Sequence, residues 1–170
     1  PLNYRRISSF FTQKRFHPIL RYFRPHLGID YVAPLGTPVV SIGNGRIIFA
    51  GWKGGFGKTI IIKHNSTYTT TYGHLSRFQK GISVGRQVKQ GEVIGYVGST
   101  GLSTGPHLDF RIQQNGRYVN FLTLKFPPSK SISKENMENF NKYKNIVVSY
   151  LHNVKEQFFE IKDFYKVYDK

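Results

Sequence analysis

All 17 glycines of this chain lie between residues 28 and 116, and no proline follows residue 128. Glycine and proline punctuate turns and interrupt helices, so the first three quarters of the chain cannot be built from long helices. The punctuation stops near Pro127-Pro128, and the expected division is a turn-rich domain over 1–128 followed by an extension over 129–170. A chain of 170 residues is long enough for one domain with a buried core and such an appendage.

Within the turn-rich part, short runs of Val, Ile, Tyr and Phe are bounded by turn residues, which predicts strands. The expected strands cover roughly 38–42, 45–50, 58–64, 67–73, 92–97, 107–112 and 117–120. IIIKHNSTYTTTY reads as a hairpin turning at Asn65-Ser66. RIQQNGRYV reads as a second hairpin, in which Asn115-Gly116 supplies the two positive φ angles of a type I′ turn. GTPVVSIGNGRIIFAG and GRQVKQGEVIGYVG repeat one style, short β runs broken by glycine turns. Small barrel-sandwich domains share that style. The carriers among them display a modified lysine on a hairpin tip beside Met or Asp, and no such hairpin is present. The predicted fold class is therefore mainly β: a compact antiparallel sheet domain related to the barrel-sandwich hybrid, followed by a C-terminal amphipathic helical extension.

That extension is read from spacing. Met137, Phe140, Val147, Tyr150, Leu151, Val154, Phe158, Ile161, Tyr165 and Tyr168 recur at steps of three and four, with Lys and Glu between them. Ser131 or Ser133 could cap its start. Such a helix packs on its own body or on a partner protein; its mixed charges argue against a membrane surface. No run approaches the roughly 18 apolar residues that a membrane span requires. The chain starts at Pro1, the look of a processed piece, so any signal peptide or anchor would lie upstream.

Charge narrows the function. Of a net +16, residues 1–128 hold 17 Lys and Arg against three acids, Asp30, Glu92 and Asp109. A basic body suits an anionic partner such as nucleic acid, a membrane surface or an acidic polymer, and equally serves solubility alone. No recognition helix, zinc finger or stacking platform supports a nucleic-acid partner. With no cysteine, disulfides and thiolate metal sites are excluded, leaving His, Asp and Glu as metal ligands.

GWKGGFGKT (51–59) is not a phosphate loop. Five residues separate Gly51 from Gly57 where four are required, and IIIKH continues as a strand rather than a helix. RPHLGIDYVAP (24–34) is more informative. Read as extended, it turns His26, Gly28 and Asp30 to one face, a histidine and a carboxylate flanking a glycine that leaves room between them. A metal ion is one occupant of that room; an ordinary polar strand face is the other reading. STGPHLDFRI (103–112) repeats the pattern, with His107, Asp109 and Arg111 on one face and Leu108, Phe110 and Ile112 on the other. YGHLS (72–76) adds His74 at a strand end. The other histidines have plain readings: His17 before a proline, His64 at a hairpin and His152 in the helix.

The ordered set H-x-x-x-D, Y-G-H-L-S and G-x-S-T-G-P-H-L resembles the lysostaphin-type (LytM-like) zinc metallopeptidases, which cleave bacterial cell-wall peptides. The likeness covers residues 8 to about 122 and includes ISSFFTQKRFHPILRYFRPHLGIDYVAP and VKQGEVIGYVGSTGLSTGPHL. It implies His26 and Asp30 as the first two zinc ligands, His74 as a contact to substrate or oxyanion, and His107 as general base. The family's third ligand is a histidine, and here Asp109 stands in its place. Two carboxylates cancel the ion's charge, which weakens it as a Lewis acid, and an oxygen-rich set admits Mn²⁺ beside Zn²⁺. The resemblance implies a zinc endopeptidase acting on peptidoglycan cross-links in the bacterial periplasm or at the cell surface. The alternative is a catalytically impaired relative that binds the wall or regulates another hydrolase.

Overall fold

A computed structural model describes residues 1–16, 21, 23–126 and 132–167. The chain divides into two compact units, Pro1–Lys125 and Phe126–Lys170. In chain order the first unit contains β1 (Arg6–Ser9), β2 (Thr12–Phe16), β3 (Phe23–His26), β4 (Ile29–Val32), β5 (Pro38–Val40), β6 (Gly45–Trp52), β7 (Lys58–Lys63), β8 (Tyr68–Phe78), β9 (Gln87–Val88), β10 (Val93–Val97), β11 (His107–Gln114) and β12 (Arg117–Val119). The second contains one helix, α1 (Lys134–Val167).

The fold is mainly antiparallel β, as the turn spacing predicts. Strands β1, β4, β11, β8, β7, β6 and β9 lie side by side in that order; β10 joins β5 to β8, β12 pairs with β11, and β2 and β3 form a separate ribbon. All seven expected strands are present, with ends moved by a few residues. β8 departs most, running on to Phe78 through the point where a strand end was expected. The short strands β1, β2 and β9 were not expected. β1 and β9 contribute few buried side chains, so their apolar alternation is faint.

The core sits under the central strands. Ile29, Tyr31, Ile60, Ile62, Tyr72, Leu75, Ile94, Leu108, Phe110 and Ile112 are all buried. Phe110 is central, with ring centroids 5.4 Å from Tyr72 and 5.0 Å from Phe121. Asn115 and Gly116 have φ of 50° and 77°, the turn their identities demand. At the other hairpin the Asn65 side chain accepts from the backbone N–H groups of Thr67 and Tyr68, an Asx turn. The glycine-rich segment makes a single tight turn over Gly54–Phe56 and enters strand β7, with no helix to hold a phosphate.

The segment 24–34 is not one extended strand. β3 and β4 belong to different sheets, and the chain crosses between them at Leu27-Gly28. At the crossing β11 lies close against the backbone. A Cβ at Gly28 would lie 2.6 Å from Arg111 Cγ and 2.8 Å from both Asp109 Oδ1 and the Phe110 carbonyl oxygen. The room left by this glycine is filled by β11.

In the second unit α1 begins after Ser133, whose hydroxyl oxygen accepts from the Asn136 side-chain amide. Ser131, Pro127, Pro128 and Tyr168 lie outside the described residues, as does His17. Met137, Phe140, Tyr143, Val147, Tyr150 and Leu151 on α1 are exposed. Among the described residues no helix is long and apolar enough to cross a membrane.

Candidate metal centre

Three strands bring the site together. β4 and β11 pair antiparallel with Asp30 directly opposite Asp109, so both carboxylates stand on one sheet face, away from the core formed by their neighbours Ile29, Tyr31, Leu108 and Phe110. On the other side of β11, Asp109 faces Gly73 of β8, which adds no side chain to the space. His26, at the end of β3, reaches in from the separate ribbon.

His26, Asp30 and Asp109 are all buried and offer ligating atoms that lie within 4.8 Å of one another. Like charges on directly opposed strand positions repel, and neither carboxylate is open to water. The histidine adds a second demand. Its Nδ1 lies 3.1 Å from the Phe10 carbonyl oxygen, which only accepts, so Nδ1 is the donor. Its Nε2 then faces Asp30 Oδ1 at 3.0 Å. Two lone pairs would meet there unless a proton or a metal cation lies between them. An outer hydrogen bond that fixes the ring and presents the other nitrogen is the usual setting of a metal-binding histidine. One nitrogen and two carboxylate oxygens are a donor set that suits a divalent ion, and the residues fit one.

Arg111 engages the third residue of the cluster. Its Nε donates to Asp109 Oδ1 at 2.8 Å and its terminal nitrogen to Oδ2 at 2.7 Å, a two-pronged ion pair away from solvent. Burial works against the guanidinium charge, and Asp109 more than reverses it, raising the Arg111 pKa. Each carboxylate oxygen has two lone pairs, so the fork leaves acceptor capacity for a metal.

His74 and His107 stack beside this cluster, ring centroids 4.7 Å apart. His74 owes its position to an irregularity in β8. It has a φ of 60°, and β8 carries one residue more than β7 between the pairs Ile60–Tyr72 and Lys58–Leu75. Tyr72 and Leu75, three apart, are therefore both core residues, and the extra residue lets His74 turn toward His107. Such bulges re-aim side chains. His74 Nδ1 donates to the Thr100 carbonyl oxygen at 2.7 Å. Burial lowers its pKa below the ordinary 6.5, as does His107, against the Thr100 hydrogen bond and the two aspartates. His107 Nδ1 donates to the Gly105 carbonyl oxygen at 2.8 Å, and its Nε2 lies 3.8 Å from Asp30 Oδ1.

Every residue singled out in the sequence thus lies at one place: His26, Asp30 and Asp109 as a cluster, His74 and His107 beside it. His64 lies elsewhere, between the Asn44 carbonyl and the Thr70 hydroxyl. What the sequence reading did not supply is the ring of carbonyls from Phe10, Thr100 and Gly105, which orient the three histidines, and a role for Arg111. Backbone oxygens leave no mark in residue identity. Arg111 did leave one, its place on the His107–Asp109 face.

Residues 24–121 match peptidase family M23. The chain belongs to that family. This M23 domain is 50% identical over 127 residues to the DD-carboxypeptidase/endopeptidase Mpg of Neisseria meningitidis serogroup B, covering 75% of this chain and 29% of Mpg. It resembles in structure a zinc-containing peptidase from Vibrio cholerae, with a TM-score of 0.69, 38% identity and coverage of 75% of this chain and 39% of that one. The catalytic domain of lysostaphin from Staphylococcus simulans also aligns, with a TM-score of 0.58, 35% identity and coverage of 65% and 80%. The chain spans less than a third of the length of Mpg.

Proposed function

We propose that this M23 domain is a zinc-dependent endopeptidase that hydrolyses peptide cross-links of bacterial peptidoglycan. The observation that carries the reading is the buried cluster of His26, Asp30 and Asp109, whose ligating atoms lie within 4.8 Å of one another, a donor set that suits a divalent cation. The zinc-containing peptidase named above supports the choice of zinc. A further relative supports a wall peptide: the peptidoglycan DD-endopeptidase ShyC of Vibrio cholerae, 39% identical over 140 residues and matched over 82% of this chain and 32% of its own length. The oxygen-rich set leaves Mn²⁺ as the other ion to test.

In this proposal His26, Asp30 and Asp109 hold the metal. Zinc bound there supplies a Lewis acid for the scissile carbonyl and makes water a better nucleophile. The remaining work falls to the side chains. His107 is fixed by its Nδ1–H bond to Gly105, so Nε2 carries the lone pair and takes the proton from the attacking water. His74 is fixed in the same way by Thr100, which leaves Nε2 as its contact to substrate. Donation from that atom to the developing oxyanion requires a second proton on the ring, and negative charge growing beside it favours that proton.

The catalytic chemistry is assigned to residues 1–128, with 129–170 as a separate helical extension whose exposed Met137, Phe140 and Leu151 suit a protein partner. Action on peptidoglycan implies the periplasm or the cell surface, and the basic body suits an anionic wall polymer. The test is incubation with cross-linked peptidoglycan, with and without zinc or a chelator, followed by mass spectrometry of the muropeptides. The expected result is metal-dependent conversion of dimers to monomers with the gain of one water. Intact dimers after exposure to folded, zinc-loaded protein would overturn the reading.

A further inference from the structure

Asp109 and Arg111 form a closed unit. The guanidinium fork covers both carboxylate oxygens at 2.8 and 2.7 Å, and its side chain is only 10% exposed. Arg111 also lies 4.4 Å from the Phe56 ring centroid, a cation–π contact that holds the plane of the fork. Its stem passes beneath Gly28, at the one place where a Cβ would strike Arg111 Cγ at 2.6 Å. A buried arginine packed this closely is part of the site's construction.

The charges give the pair its meaning. A histidine and two carboxylates bring two negative charges to a divalent ion. Arg111 sets one positive charge directly against one of them. We propose that Asp109 and Arg111 act together as a single, electrically neutral metal ligand. Arg111 is the positioning residue: it fixes the carboxylate plane and cancels its charge, so that Asp109 does the work of a neutral donor. This inference rests on the metal site proposed above and concerns how its third ligand is made.

Once the carboxylate is gone the guanidinium keeps its charge, and a buried cation then faces the site of another cation. An Arg111 whose charge does not act at that site would make no difference there. The experiment measures zinc affinity by competition with a chromophoric chelator for the wild-type chain, D109H, R111Q and D109H/R111Q, with folding checked by circular dichroism. D109N and D109N/R111Q form a second pair, closer in shape to the parent, should the histidine disturb the fold. The expected result is that D109H and D109N each lose on the order of tenfold or more in zinc affinity, and that adding R111Q restores on the order of tenfold in both. An R111Q change that leaves both neutral variants unchanged or weaker overturns the inference while wild-type binding leaves the metal site standing. A folded wild-type chain that binds no zinc overturns both.

Discussion

Asp30 of β4 and Asp109 of β11 stand directly opposite each other on one face of the sheet, each almost fully buried. The Arg111 fork holds Asp109, and His26 Nε2 lies 3.0 Å from Asp30 Oδ1, so both carboxylates face the place proposed for the metal. A bound zinc ion should stabilise the fold by the ordinary linkage, about 2.7 kcal/mol when the free ion is a hundred times its Kd. That corresponds to a rise in Tm of roughly 5–11 °C for a chain of this size. Thermal melts with zinc and with a chelator check the shift, and D30N should remove it.

His26 and His107 should separate by phenotype. His26→Ala should abolish zinc binding and cleavage together. His107→Ala should keep zinc affinity within a few fold and lose about 10²–10⁴ in cleavage rate, the range for a lost general base. Parallel chelator competition and muropeptide assays on the two variants test this, and equal loss of zinc by both would refute the division of roles.

Gly28 should tolerate no side chain. In Gly28→Ala the new Cβ meets Asp109 Oδ1 and the Phe110 carbonyl at 2.8 Å, and backbone in a sheet cannot retreat cheaply. A cost of about 1–3 kcal/mol is expected, the range for overpacking, together with weaker zinc binding because Asp109 is displaced. Urea unfolding and a zinc titration measure the two effects.

Acid should destabilise the zinc-free domain through two histidines. Burial lowers the pKa of both His64 and His74 below the ordinary 6.5. Between the lowered folded pKa and 6.5 the unfolded chain binds more protons than the folded one, so stability rises with pH across that window. The contribution is complete above about 6.5 and is lost as the pH falls below it. Denaturation series in chelator from pH 7.5 to 5 should show the decline, and His64→Gln should make it shallower.

Much of this could be read from residue order. The glycine and proline spacing predicts a β domain followed by a helix because turns need those residues and helices exclude them. Period-two alternation in HLDFRI separates Leu108, Phe110 and Ile112, all buried in the core, from His107, Asp109 and Arg111 on the site face. Asn115-Gly116 specifies its turn by itself. The pairing of His26 with Asp30 also follows from short range, although the chain reaches it by crossing between two sheets rather than along one strand.

What the sequence by itself determined, then, is the β domain with its helix, and the face of β11 on which His107, Asp109 and Arg111 stand, because side-chain alternation is a local property of extended backbone. Register was decided only in three dimensions. Strand pairing placed Asp109 against Asp30 on one side and Gly73 on the other, an extra residue in β8 turned His74 to the site, and packing under Gly28 closed Arg111 onto Asp109. These relations join residues as far apart as 83 positions, Gly28 and Arg111. Only the hydrogen-bond ladders and the packing of the folded sheet bring such residues into contact.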